Sequence, residues 1–423
     1  METAVNKTNT RKPPAYLNAL VFLSVLLIGA DTWGVNVGGF NFRFVQVILL
    51  AAGFVVLVKN QYKFYFSPVL IAFIGLYFVS CLFSVSVTAS LIYFVWLLYN
   101  VFIILFLFAS YVSSYGIQNF MKILRLTFYV QTVLLALQFF LELIAGYKIP
   151  FFTTGTFMGI PRPALWFYEP SYLATYFSFW LIACGCLFLR TYKRIFLADF
   201  LIALAGMALC TATTGFLAIG ATFLIVFILA FYYKRNRVVI ILLAAVILAY
   251  IAILVFLPNV LSVFVGRLFS DGIVSASGGR IDMWAETWKV FLTRPLFGVG
   301  PNCYGEFLGF DRSYVPSNVT LELLSTTGIF VTVAFIVFIV GILRNTFRTY
   351  KKEKGEDSLI LWALGIGLIL FLVVLQANQG YMRLYMWMIF GILLGGTSYV
   401  KKQNKIIAVS YTHLRAHETL RHL

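Results

Sequence analysis

Apolar residues fall in long, nearly unbroken runs along this chain, separated by short polar stretches. A helix needs roughly 20 apolar residues to cross the ~30 Å hydrocarbon core of a bilayer. Twelve runs approach or reach that length, at about 15–31, 42–58, 68–87, 90–110, 126–146, 170–189, 195–211, 215–233, 238–257, 320–343, 358–376 and 384–400. No A-x-A-like site follows the first run, so it is expected to stay as an uncleaved anchor. The pattern predicts an all-α integral membrane protein, a polytopic bundle of about twelve transmembrane helices over residues 1–408. Of the connections, 147–169 and 258–317 are long, and 258–317 is expected to be the main extracytoplasmic loop.

The basic residues orient this bundle. Twenty-one Lys and Arg fall at the N-terminal segment and in the loops that alternate with it, against nine in the other loops and two in the last fifteen residues. Cytoplasmic loops carry such an excess. Both termini are therefore expected in the cytoplasm and 258–317 outside. The net charge of +17 is spread in small groups between apolar runs. That distribution reads as an orientation signal and as contact with membrane lipids, not as a nucleic-acid footprint.

Composition narrows the chemistry. The chain is 61% hydrophobic and 11% charged, where soluble domains sit near half and a quarter. It has no histidine before His413, and all three, His413, His417 and His422, lie in the final stretch. Residues 409–419 read VSYTHLRAHET, similar to translated sequencing-adapter read-through, so 409–423 is expected to be a non-native tail. Catalysis then has to run on Arg, Glu, Asp and hydroxyls. No Asp/Glu cluster stands at ligand spacing, so neither a metal nor a cofactor is expected. Four of the five cysteines lie in apolar runs and Cys303 in the long loop, which implies no disulfide framework.

Three polar stretches face the outer side. Residues 280–292 predict an amphipathic helix with Ile281, Trp284, Trp288 and Phe291 on its apolar face, ended by Pro295. Arg280 opens that helix, where a cation opposes the dipole and a bound anion would reverse the sign. A pyrophosphate clamp and a surface arginine paired with Asp282 or a lipid headgroup are both open. Before the sixth run, GIPRPALWFYEP carries Arg162 and Glu169. Glu169 reads as a proton acceptor for a hydroxyl or as an anion at a helix N-terminus. In PSNVTLELLSTTGIF, residues 316–330, Asn318 and Glu322 are one helical turn apart, and Ser317 or Asn318 reads as an N-cap. Arg294, on the turn after the amphipathic helix, adds positive charge to the same face.

These stretches together resemble the O-antigen ligase and polymerase superfamily of bacterial envelope glycosyltransferases. FYEPSYLA at 167–174 is similar to the Glu-Pro-Ser motif of polymerases. Residues 279–305 are similar to the Arg-x-x-x-Trp helix with its Pro-Leu-x-Gly-x-Gly turn, and 317–330 to the His-Asn-x-x-Leu segment ending in Gly. The resemblance implies a metal-independent transferase that uses an undecaprenyl-pyrophosphate-linked oligosaccharide as donor, and a second one as acceptor, on the outer face of the plasma membrane. It implies a flippase and a chain-length regulator as partners. It also implies that Arg280 contacts the pyrophosphate and that Glu169 is the motif glutamate, with Arg162, Trp284, Arg294, Asn318 and Glu322 as substrate-binding candidates. The ligase motif has His where this chain has Ser317, which favours polymerisation of O-antigen, capsule or exopolysaccharide repeats over ligation to another acceptor. A transporter of lipid-linked sugars is the rival from another class, but Glu142 and Asp199 stand nearly alone within the spans.

Overall fold

The computed structural model describes residues 12–37, 40–157, 159–235 and 279–421. Each of the eleven predicted runs inside these residues forms a helix; the run at 238–257 and loop residues 258–278 lie outside them. The helices are α1 Ala15–Leu26, α2 Phe44–Val58, α3 Pro68–Leu82, α4 Val87–Tyr99, α5 Phe106–Tyr115, α6 Ile117–Ala145, α7 Pro170–Thr191, α8 Arg194–Leu209 and α9 Thr213–Tyr232. After the undescribed stretch come α10 Arg280–Thr293, α11 Tyr304–Phe307, α12 Val319–Lys352, α13 Glu356–Val374 and α14 Leu384–Arg421. Among the described residues six stretches are long and apolar enough to cross a membrane: 87–115, α6, α7, α9, α12 and 356–377. The protein is thus a mainly helical, multi-span membrane protein.

Two features depart from the all-α expectation. Antiparallel hairpins pair β1 Gly34–Val37 with β2 Phe40–Arg43, and β3 Thr153–Phe157 with β4 Ile160–Leu165. Both sit in loops between spans, where the backbone must find partners within the protein. α4 and α5 are one span joined through a π-helical segment, Asn100–Leu105.

Small residues set the packing. α7 is apolar all round and almost wholly buried, as expected of a helix at the centre of a bundle. A side chain at Gly367 of α13 would sit 2.7 Å from the Phe179 carbonyl of α7. On α14, Gly391 and Gly395 face the carbonyls of Leu105 and Ala109 in the same way, a small-xxx-small contact that lets backbones approach.

The loops segregate as the charge pattern requires. Trp33 Nε1 donates to the Phe151 carbonyl, Thr32 Oγ1 to that of Trp166 and Ser80 Oγ to that of Phe297, so the segments expected outside meet one another. On the opposite face, Lys193 pairs with Glu356 at 2.7 Å and Asn404 donates to Glu353 at 2.5 Å.

α12 is broken at Gly328, whose φ of 80° and ψ of 179° lie outside helical space. Ile329 N–H bonds to Pro295 O (2.9 Å), and the freed carbonyls of Ser325 and Thr326 accept from Val299 and Gly300 N–H (both 2.9 Å). The Pro-Leu-x-Gly-x-Gly turn therefore docks on the break. Irregular backbone at the membrane is tolerated only where protein or a cavity satisfies it.

Candidate functional site

The amphipathic helix is present as α10, but its buried stripe is Thr287, Val290 and Phe291. Trp288 is 47% exposed and packs its ring on Phe291. The stripe is displaced by one residue because Thr287 turns inward to bond the Tyr304 hydroxyl at 2.9 Å and the Met283 carbonyl at 2.6 Å.

Arg280 opens α10 after Gly279, which is in the left-handed conformation. Its guanidinium is half-buried, with Glu169 and Arg162 within electrostatic reach. Burial holds its pKa below the ordinary value; Arg162 adds to the lowering and Glu169 opposes it. Arg162 comes from β4, and its buried Nε has no hydrogen-bond partner among the described residues. Glu169 is exposed, precedes Pro170 at the N-cap of α7 without a capping bond, and accepts from Ser171 Oγ at 3.0 Å. The fold thus gathers Arg162, Glu169 and Arg280 from two distant stretches. Arg280 and Arg162 can both reach an anion at this helix N-terminus, with Glu169 nearby and Asp282 in the first turn of α10 as the neighbouring carboxylates.

Trp284 Nε1 donates to the Ser317 carbonyl at 3.4 Å, tying α10 to the entry of α12. Asn318 is the N-cap: its Oδ1 accepts from Leu321 N–H at 3.0 Å while its Nδ2 donates to the Gln376 carbonyl at 2.8 Å. Glu322 is buried and accepts from Gly380 N–H at 3.1 Å. Arg294 stands apart. It is exposed at the far end of α10, donating to the Phe83 carbonyl at 3.3 Å. By helical rise it is roughly 20 Å from Arg280.

Beside this cluster lies a cavity of about 260 Å³, lined in part by Arg43, Tyr93, Trp96, Glu322, Gln379 and Arg383. Sequence reasoning missed most of it. Asp31 binds both arginines, with Arg43 at 2.5 Å and Arg383 on its other oxygen. Asp31 holds the Arg383 pKa above its ordinary value despite the opposing effect of burial. Arg43 is held below its own, by burial first and then by Arg383, against the pull of Asp31. The Arg383 guanidinium lies 3.9 Å over the Tyr172 ring, and Tyr172 also feels Glu169. Tyr172 therefore joins the cavity to the Arg280 cluster. The only sequence signal was that Arg43 and Arg383 are cations at outer ends of spans.

The carboxylates expected to stand alone inside spans are engaged. Asp199 receives three bonds from Arg125, at 2.7, 3.0 and 2.8 Å, and one from Tyr129 at 2.9 Å. Glu142 accepts from Thr154 Oγ1 at 2.5 Å. The five cysteines are free and buried. Among the described residues no three His, Cys, Asp or Glu gather as metal ligands.

No curated protein matches the chain significantly. Residues 198–336, which take in α10, the docked turn and the broken half of α12, match the family model described as O-antigen ligase. Over that third of the chain the sequence is thus similar to the O-antigen ligase family, which supports the resemblance to the O-antigen ligase and polymerase superfamily.

Proposed function

We propose that this protein polymerises undecaprenyl-pyrophosphate-linked oligosaccharide repeat units on the outer face of the bacterial plasma membrane, without a metal. The observation that carries the reading is the meeting of Arg280, Arg162 and Glu169 at the mouth of the bundle. The acceptor hydroxyl attacks the anomeric carbon, and the lipid pyrophosphate leaves in a single inverting displacement. Arg280 and Arg162 stabilise the charge that develops on the leaving group. Groups so placed contribute several kcal/mol; removing one such donor costs about 10²–10³ in rate. Glu169, exposed beside Arg280, orients the acceptor hydroxyl. Ser317 stands where the ligase motif has histidine, which favours a lipid-linked acceptor over ligation. Engaged carboxylates at Asp199 and Glu142 leave little for a midplane transport path, which argues against a transporter.

The test is deletion of the gene followed by gel analysis of lipid-linked glycans. Accumulated single repeats support polymerisation. Accumulated full-length lipid-linked polymer means ligation instead.

A further inference from the structure

The cavity next to the Arg280 cluster differs from it in charge. Arg43 and Arg383 are matched by Asp31, which binds both, and by Glu322, which Arg383 also reaches. Two cations against two carboxylates leave the cavity near neutral, unsuited to a second pyrophosphate. Its lining mixes the apolar faces of Ile92, Tyr93 and Trp96 with the planar polar groups of Asn302, Glu322 and Gln379. That mixture fits a sugar ring, which offers apolar faces and a rim of hydroxyls. At about 260 Å³ the space falls just short of the range of about 300–1,000 Å³ for drug-sized ligands, room for a terminal sugar rather than a chain.

Its walls are preorganised. Gln379, in the wall, donates to the Tyr172 hydroxyl, and the residues leading into it are fixed: Gln376 by Asn318 and Thr320, both at 2.8 Å, and Asn378 by Thr175 at 3.0 Å. Glu322, buried in the wall, is fixed by the Gly380 N–H. Glu169, by contrast, is exposed among the arginines.

We infer that this cavity seats the terminal sugar of the acceptor repeat unit and that Glu322 takes the proton from its attacking hydroxyl. This rests on the glycosyl-transfer reading above. The hydroxyl proton moves to the Glu322 carboxylate as its oxygen bonds to the donor's anomeric carbon. The bond from that carbon to the pyrophosphate oxygen breaks, and its electron pair leaves with the lipid pyrophosphate. Glu322 then returns the proton to water. The Gly380 N–H and Arg383 keep the carboxylate oriented between turnovers.

The experiment uses full-length protein in liposomes, supplied with the host's own lipid-linked repeat units extracted from cells lacking the chain. Release of lipid pyrophosphate and elongated product are both measured, and undecaprenyl pyrophosphate serves as inhibitor. Glu322→Gln keeps an acceptor for the Gly380 N–H, so it should fold. Its turnover should fall about 10²-fold or more, the contribution of a positioned base, with the inhibition constant for undecaprenyl pyrophosphate unchanged within twofold. Glu322→Asp should retain more turnover than the glutamine variant. Ile92→Trp, which fills the cavity without touching a charge, should raise KM for repeat units tenfold or more and leave that inhibition constant unchanged. Glu322→Gln within threefold of wild type, or equal to Glu322→Asp, overturns the proposal, as does a wild-type KM in Ile92→Trp. Failure of the polymerase reading looks different: wild-type protein would release lipid pyrophosphate without elongated product, and the Glu322 dependence would still be read from that release.

Discussion

The carbonyl of Leu296 occupies the space that a side chain at Gly328 would need: a Cβ built there falls 2.2 Å from that oxygen. The break in α12 and the turn after α10 are therefore one joint. Gly328 also sits at φ 80° and ψ 179°, backbone that is essentially reserved for glycine. Gly328→Ala should lose at least about 1–3 kcal/mol from backbone strain alone, with the clash added. Thermal unfolding of the detergent-solubilised protein should show a lowered midpoint, whereas Gly341→Ala, in open space on the same helix, should match wild type.

Asp31 is one buried carboxylate between two partly buried guanidiniums. Asp31→Asn should therefore cost about 3 kcal/mol, because Arg43 loses its carboxylate partner and Arg383 keeps only Glu322. Adding Arg43→Gln should recover part of the loss by removing one stranded cation. The same unfolding measurement on single and double variants checks both; a double variant no better than Asp31→Asn would mean the three residues do not act as a unit.

Arg280→Lys should lose most polymer even though the charge remains, since an ammonium lacks the planar two-pronged donor set of arginine. Arg280→Ala should be at least as poor, with protein level intact. Arg294→Lys should be mild, because Arg294 is exposed and bonds a carbonyl of the α3–α4 junction. Polymer ladders at matched expression rank the three. A normal ladder from Arg280→Ala would remove the clamp.

Orientation is open to a direct check. The five native cysteines are buried, so an added surface cysteine should dominate labelling. Ser313→Cys, on the exposed turn beyond α11, should react with an impermeant maleimide in intact cells, and Lys352→Cys should react only after lysis. The reverse pattern would place the cavity in the cytoplasm.

The spans were readable because a bilayer demands long apolar runs, and that demand is one-dimensional. The Arg280 helix and the Asn318 cap were readable for a similar reason: each depends on neighbours within a turn or two. The hairpins divide: 34–43 reads GVNVGGFNFR, which alternates about Gly-Gly and was legible though overlooked, whereas 153–165 carries Pro161 and Pro163 and no clean alternation. The trio of Asp31, Arg43 and Arg383 was also hidden. Its members come from both ends of the chain, and only the third dimension brings them together. Glu322 was visible as a polar residue, but its sequence neighbours could not reveal that Gly380 and Arg383 face it. The displaced stripe on α10 shows the same limit, since the choice of Thr287 over Trp288 was made by Tyr304.

The joint between 295–300 and α12 is built from main-chain groups. Side chains at Leu296, Phe297, Ser325 and Thr326 can therefore drift over evolutionary time without moving the parts they connect. Arg280 at one end of α10 and Glu322 in the first turn of α12 keep a common reference frame through that drift. On the proposed reading, the wall of the cavity can then change while the spacing between Arg280 and Glu322 stays fixed by main-chain bonds.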